Sequence, residues 1–129
     1  MIDDIKKLNK KYKLDQWSKN ADDHLLDVYL DFRIDFLQEE LDELSSAKSP
    51  EDCVDALIDL IVVALGTLDT YDVDINKAWK EVHRANMSKQ LGKNNTRENK
   101  FDLPDLIKPD NWIEPDHSDN TGRFEDLYE

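Results

Sequence analysis

The sequence predicts an all-α fold, a bundle of four to five helices followed by an irregular, proline-containing C-terminal arm. Three observations predict it. Turn punctuation is scarce, with three glycines in the whole chain and Pro50 the sole proline before residue 100, which favours long helices over a many-stranded sheet. Apolar residues recur at helical spacing while strand-like alternation is absent. Charged residues make up 36% and hydrophobic ones 39%, the balance expected of helices with one solvated face. A chain of 129 residues builds one modest core, so residues 1–100 are expected to form the helical domain and residues 101–129 an arm of that same domain.

Taken in order, residues 2–12 read as a short amphipathic helix marked by Ile2, Ile5, Leu8 and Tyr12. A linker is expected at 15–20, then a long helix over 22–47. Ser49-Pro50-Glu51-Asp52 is a strong helix start, with Ser49 as N-cap, Pro50 at the first helical position and acids in the first turn. That helix runs to about residue 71. Another begins near Asp74, capped by it, and ends before Gly92. Three of the four prolines, Pro104, Pro109 and Pro115, fall in the arm, where residues 102–129 hold nine acids against Lys108 and Arg123. The arm should be irregular, packed through Trp112 and Ile113, and loose beyond Ser118.

Charge and composition exclude several classes of function. The net charge of −13 argues against binding a nucleic-acid polymer, which needs a basic footprint. The lone Cys53 cannot form an internal disulfide and suits a reducing compartment. Met1-Ile2-Asp3-Asp4 lacks the apolar run of a signal peptide, and the apolar stretch 57–68 is broken by Asp59 and too short to span a bilayer. A cytoplasmic protein with no membrane partner is expected.

Function is suggested where the helices break their own pattern. On the long helix Asp27, Asp31, Asp35, Gln38 and Asp42 gather on a solvated side, and Leu26, Tyr29, Leu30, Phe32, Ile34, Phe36, Leu37, Leu41 and Leu44 cover the other. Arg33, Glu40 and Glu43 fall inside that apolar arc. Burying ionised carboxylates costs several kcal/mol each unless something compensates them; a divalent cation would, and so would snorkelling to water at the arc's margin. The following helix is apolar nearly all round from Val54 to Leu68, as a helix buried in a bundle or an oligomer interface would be. Asp55 and Asp59 nevertheless stand on it one turn apart. Either they are satisfied core aspartates or, with the acids of the preceding helix, they make an oxygen-rich cage for a hard cation such as Mg²⁺ or Mn²⁺. His24, His83, His117 and Cys53 have no zinc spacing. On the last helix the inward stripe Ile75, Ala78, Trp79 and Val82 continues through Asn86 and Lys89. Lys89 suits a phosphate there, or it is a last-turn cation that complements the helix dipole.

In this order the residues resemble the MazG-like all-α nucleoside triphosphate pyrophosphohydrolases, particularly their short, phage-type branch. The resemblance spans residues 25–116. It rests on Glu39-Glu40-Leu41-Asp42-Glu43, on Asp55-Ala56-Leu57-Ile58-Asp59, and on Glu81-Val82-His83-Arg84-Ala85-Asn86-Met87-Ser88-Lys89, with Gly66-Thr67 and Lys108-Pro109-Asp110-Asn111-Trp112 in support. It implies hydrolysis of a (deoxy)nucleoside triphosphate between its α- and β-phosphates, with Mg²⁺ held by Glu40, Glu43 and Asp59. It further implies that Glu39 positions or deprotonates the attacking water and that Arg33, Asn86 and Lys89 contact the nucleotide. One position departs from the family pattern: Ala56 stands where a glutamate would complete the second acidic motif, and Asp55 is the expected substitute ligand. The resemblance also implies a homo-oligomer, tetramer in preference to dimer, with a nucleotide as the small-molecule partner. Phosphoribosyl-ATP or a guanosine alarmone as substrate, or a helical interaction module without activity, are the alternative readings.

Overall fold

The computed structural model describes residues 1–93 and 99–128. Five α-helices run along the described chain: α1 Ile2–Lys11, α2 Leu14–Asn20, α3 Asp23–Ser45, α4 Pro50–Thr70 and α5 Ile75–Met87. Two three-residue strands, β1 Gln90–Gly92 and β2 Asp105–Ile107, pair antiparallel, and a 3-10 helix follows over Gly122–Leu127. The fold is all-α, as the pattern of apolar residues predicts. Residues 94–98, part of the stretch joining the strands, lie outside the described residues.

Two compact units divide the chain, one of residues 1–75 and 121–128, the other of residues 76–120. In the first, α3 and α4 are the central pair. Their starts follow the local chemistry read from sequence. The Asp22 carboxylate accepts from the Leu25 N–H at 2.8 Å, and Ser49 Oγ accepts from the Asp52 N–H at 3.1 Å with Pro50 in the first turn. Ile5 of α1 packs with Leu65 and Ile75 in one small core, and Leu26, Tyr71 and Ala21 form a second. Asn9 ties α1 to α4 by donating to the Gly66 carbonyl at 3.1 Å and to Asp69 at 2.9 Å, while Lys6 reaches the same Asp69 at 2.8 Å. In the second unit Trp112 Nε1 donates to the Ala85 carbonyl at 2.8 Å. Arg84 pairs with Glu81 at 2.8 Å.

Four expectations change. The linker expected at 15–20 is the helix α2, entered through Lys13 in the left-handed region at φ 60°. The arm is less irregular than its prolines suggest, since β2 lies in it. Its end is also docked, although looseness is expected beyond Ser118. Phe124 stacks on Tyr71 with centroids 4.1 Å apart and planes 11° off parallel, and the Arg123 guanidinium donates to the carbonyls of Ser18 at 2.7 Å and Ala21 at 3.2 Å. Gly122 makes this docking possible. At φ +52° a side-chain Cβ would stand 2.0 Å from the Tyr71 carbonyl oxygen. Finally, Phe32, Ile34 and Leu41, assigned to the inward face of α3, are exposed in the single chain.

Candidate active site

Glu40 and Glu43 sit one turn apart on α3, and Asp59 meets them from α4. One carboxylate oxygen from each lies within 4.8 Å of the others. Glu40 is only 8% exposed, and its Oε2 is buried with no hydrogen-bond partner. Burial, and then the charges of Glu43 and Asp59, hold the Glu40 carboxyl above the usual carboxylate range. Burial first, then Asp55 and Glu43, raise that of Asp59 in the same way. An orphaned buried oxygen inside an all-carboxylate set is under-compensated as it stands. Those oxygens fit a hard divalent cation, which would satisfy the orphan and cancel the repulsion together.

Asp55, exposed, stands outside that set but acts on Asp59 through its charge. With Glu43, Ala47, Asp52 and Ala56 it lines a hollow of about 250 Å³. Ala56 itself is buried at 3% exposure. Glu39 is exposed, and its charge acts on Glu40.

Toward the other end of the α3–α4 seam the charge changes sign. Arg33 donates through Nε to Thr67 Oγ1 and through Nη2 to the Val63 carbonyl, each at 2.9 Å. Its guanidinium also lies 5.8 Å from the Tyr29 centroid and 5.5 Å from that of Phe36. Gly66 leaves the space: a Cβ there would come within 3.2 Å of Arg33 Nη2. Beside Arg33 a cavity of about 440 Å³ opens between α1, α3 and α4, lined by Asn9, Tyr12, Tyr29, Phe32 and Phe36 among others. Phe36 precedes Glu40 by one helical turn, roughly 5.4 Å along the axis. An aromatic cavity with few polar groups is the usual form of a small-molecule site.

Asn86 and Lys89 belong to the second unit. Asn86 is exposed on α5, and half-buried Lys89 follows that helix with its Nζ 5.5 Å from the Trp112 centroid. The aromatic cavity was not legible from spacing, which treats Tyr29, Phe32 and Phe36 as core. Its one signal was Phe32, Phe36 and Glu40 at i, i+4 and i+8 around Arg33.

An all-helical chain carrying a carboxylate cluster on facing helices is compatible with a divalent-metal site. The profile of the phosphoribosyl-ATP pyrophosphohydrolase family matches residues 15–86, more than half of the chain, and the chain belongs to that family. Among curated proteins and solved structures, none matches it. Membership implies a pyrophosphohydrolase, and the matched span contains both acidic motifs, Arg33 and Asn86. No helix among the described residues is long and apolar enough to cross a membrane.

Proposed function

We propose that the protein hydrolyses (deoxy)nucleoside triphosphates to nucleoside monophosphate and pyrophosphate, with Mg²⁺ as its metal and Mn²⁺ as a working substitute. The observation that carries this reading is the buried, partnerless Glu40 oxygen within the Glu40–Glu43–Asp59 cluster of a pyrophosphohydrolase-family chain. We place it in the short, phage-type MazG-like branch on Asn86-Met87-Ser88-Lys89. A bound Mg²⁺ supplies charge neutralisation for the phosphates and water activation near neutral pH.

The chain's own groups do the rest. Glu40, Glu43 and Asp59 hold the ion, and Asp55 tightens the set by its charge or through a water. Glu39, exposed beside them, takes the proton from the water whose oxygen bonds to the α-phosphorus as the bond to the bridging oxygen breaks. Pyrophosphate leaves with that bond's electron pair. Arg33 has donors beyond the two bonds it makes to α4, and these face the nucleotide, whose base and sugar occupy the aromatic cavity. By the resemblance Asn86 and Lys89 contact its phosphates or sugar, and Lys89 or Arg33 stabilises charge on the leaving group.

The working form is a homo-oligomer, tetramer in preference to dimer, located in the cytoplasm, with no nucleic-acid polymer or membrane as partner. Val54, Leu57, Ile58 and Ile61 support association: they form an i, i+3, i+4, i+7 stripe on α4 that is 45–64% exposed in the single chain. The family match favours a second reading, in which phosphoribosyl-ATP is the substrate. Pyrophosphate release from the eight common (d)NTPs, phosphoribosyl-ATP and a guanosine alarmone, with and without Mg²⁺, decides between them. Release from phosphoribosyl-ATP alone replaces the first reading by the second, and release from none overturns both.

A further inference from the structure

Two lysines 19 positions apart in sequence converge on one indole ring. β1 and β2 pair with Gln90 opposite Ile107, so Lys89 and Lys108 flank the same end of that ribbon, Lys89 in the turn that leaves the helix with its N–H on the Asn86 carbonyl at 3.2 Å. Two like charges brought to one ring repel. Trp112 holds them there. Its N–H donates to the Pro109 carbonyl at 2.9 Å, closing the turn that follows Lys108, and its Nε1 is anchored on the Ala85 carbonyl at 2.8 Å. Lys89 Nζ then lies 5.5 Å from the ring centroid and Lys108 Nζ 4.9 Å from it. In a chain with 30 acidic side chains, neither ammonium is ion-paired with a carboxylate among the described residues. Cation–π contact with a partly buried ring is worth about 0.5–2 kcal/mol and does not cancel a positive charge. The second unit therefore carries a preset, doubly positive point on a strongly acidic protein.

We infer that Lys89 and Lys108, splayed on Trp112, form an oxyanion site that takes a phosphate group. Lys108 and Trp112 thereby join Lys89 in recognition. The identity of the ligand as a nucleotide or its pyrophosphate rests on the pyrophosphohydrolase reading, whereas the site itself does not. Trp112 is the positioning residue. Its anchored ring gives both ammonium groups one contact surface, so that less side-chain freedom is lost when the anion arrives.

The test is calorimetric titration of inorganic pyrophosphate, and separately of a deoxynucleoside monophosphate, into the full chain in EDTA. Without divalent metal the carboxylate cluster has no hold on either probe. Lys108→Met keeps the aliphatic stem on the ring and removes the charge. Lys108→Arg keeps both. The expected result is pyrophosphate affinity at least tenfold weaker in Lys108→Met and in Lys89→Met, restored in Lys108→Arg, and steeply weakened by salt in the wild type. Loss confined to pyrophosphate assigns the site to the leaving group, and loss in both arms assigns it to any phosphate; either supports the inference. Unchanged affinity in Lys108→Met with a lowered melting temperature would show that the lysines only cover Trp112, and would overturn it. Absence of any pyrophosphate binding by the wild type would overturn it too, even if metal-dependent hydrolysis is normal. Lys108-dependent binding without hydrolysis of any nucleotide would instead remove the pyrophosphohydrolase reading and leave the oxyanion site standing.

Discussion

Glu40→Gln separates what the carboxylate cluster does to stability from what it does to chemistry. The substitution keeps the shape of a side chain that is 8% exposed and deletes its charge. In metal-free protein that charge is a liability, because burial and then Glu43 and Asp59 favour the protonated form. The sign follows from proton counting. The folded chain keeps the Glu40 proton to higher pH than the unfolded chain, so folding stability falls as pH rises through the ordinary carboxylate range. The deficit is complete once pH exceeds the raised folded value. In EDTA, Glu40→Gln should therefore melt at or above the wild-type temperature at neutral pH, and its stability should fall less between about pH 4 and 7. Metal reverses the order. An ion that binds only the folded state adds RT ln(1 + [M]/Kd), about 2.7 kcal/mol at a hundredfold excess over Kd. At roughly 4 °C per kcal/mol for a domain of this size, the wild type gains about 10 °C on adding Mg²⁺. The variant should gain little and should release no pyrophosphate. Thermal melts with and without Mg²⁺, beside a pyrophosphate assay, measure all of this. A variant that keeps the wild-type Mg²⁺ shift, or its turnover, refutes the assignment of the cluster as the metal centre.

Asp55→Asn should raise the Mg²⁺ concentration for half-maximal activity about tenfold, and Asp59→Asn should do worse; an unchanged Mg²⁺ dependence makes Asp55 a bystander. Ile58→Asp places a charge in the exposed α4 stripe and should shift the protein toward its 15.1 kDa monomer in sedimentation, whereas a wild type already monomeric at micromolar concentration contradicts the oligomer. Gly122→Ala puts a Cβ 2.0 Å from the Tyr71 carbonyl oxygen and should release the C-terminal 3-10 helix. Faster proteolysis after Asn120 and a loss exceeding about 1 kcal/mol are expected, and an unchanged proteolytic pattern would count against the docking.

The helices were legible where their ends carry local chemistry. Asp22 and Ser49 each accept from the backbone N–H three residues on, so α3 and α4 begin where the sequence places them. The expected linker failed for the opposite reason. Leu14–Asn20 is a seven-residue helix, too short to show a period, and it is fixed by contacts distant in sequence such as Arg123 on the Ser18 carbonyl. The C-terminal end was misjudged for the same cause, because its order comes from Phe124 stacking on Tyr71, 53 positions away, and from a glycine whose φ cannot be read from composition. Glu40 was legible because it violates the pattern around it: read inside an apolar arc, it is buried as that arc requires, whereas Glu43, read into the same arc, is exposed at its margin.

Arg33 shows how a fold residue and a site residue can be the same side chain. The sequence marks it only as a charge on the wrong face. In the structure two of its donors satisfy α4, at Thr67 and at the Val63 carbonyl, and its plane is flanked by Tyr29 and Phe36. A guanidinium carries five donors in a rigid fork, so these two bonds fix its orientation without exhausting it. The register then follows from pairing alone. Arg33 meets Val63 seven residues before Glu40 on α3, and Asp59 meets Glu40 four residues before Val63 on α4, as two antiparallel helices require. A cation and an acid cluster thus occupy one seam about two turns apart, roughly 10 Å, with an aromatic cavity opening beside the cation. That spacing keeps Arg33 from neutralising Glu40 directly. Were it one turn away, it could pair with the orphaned oxygen itself and leave less of the cluster's charge for a cation to compensate.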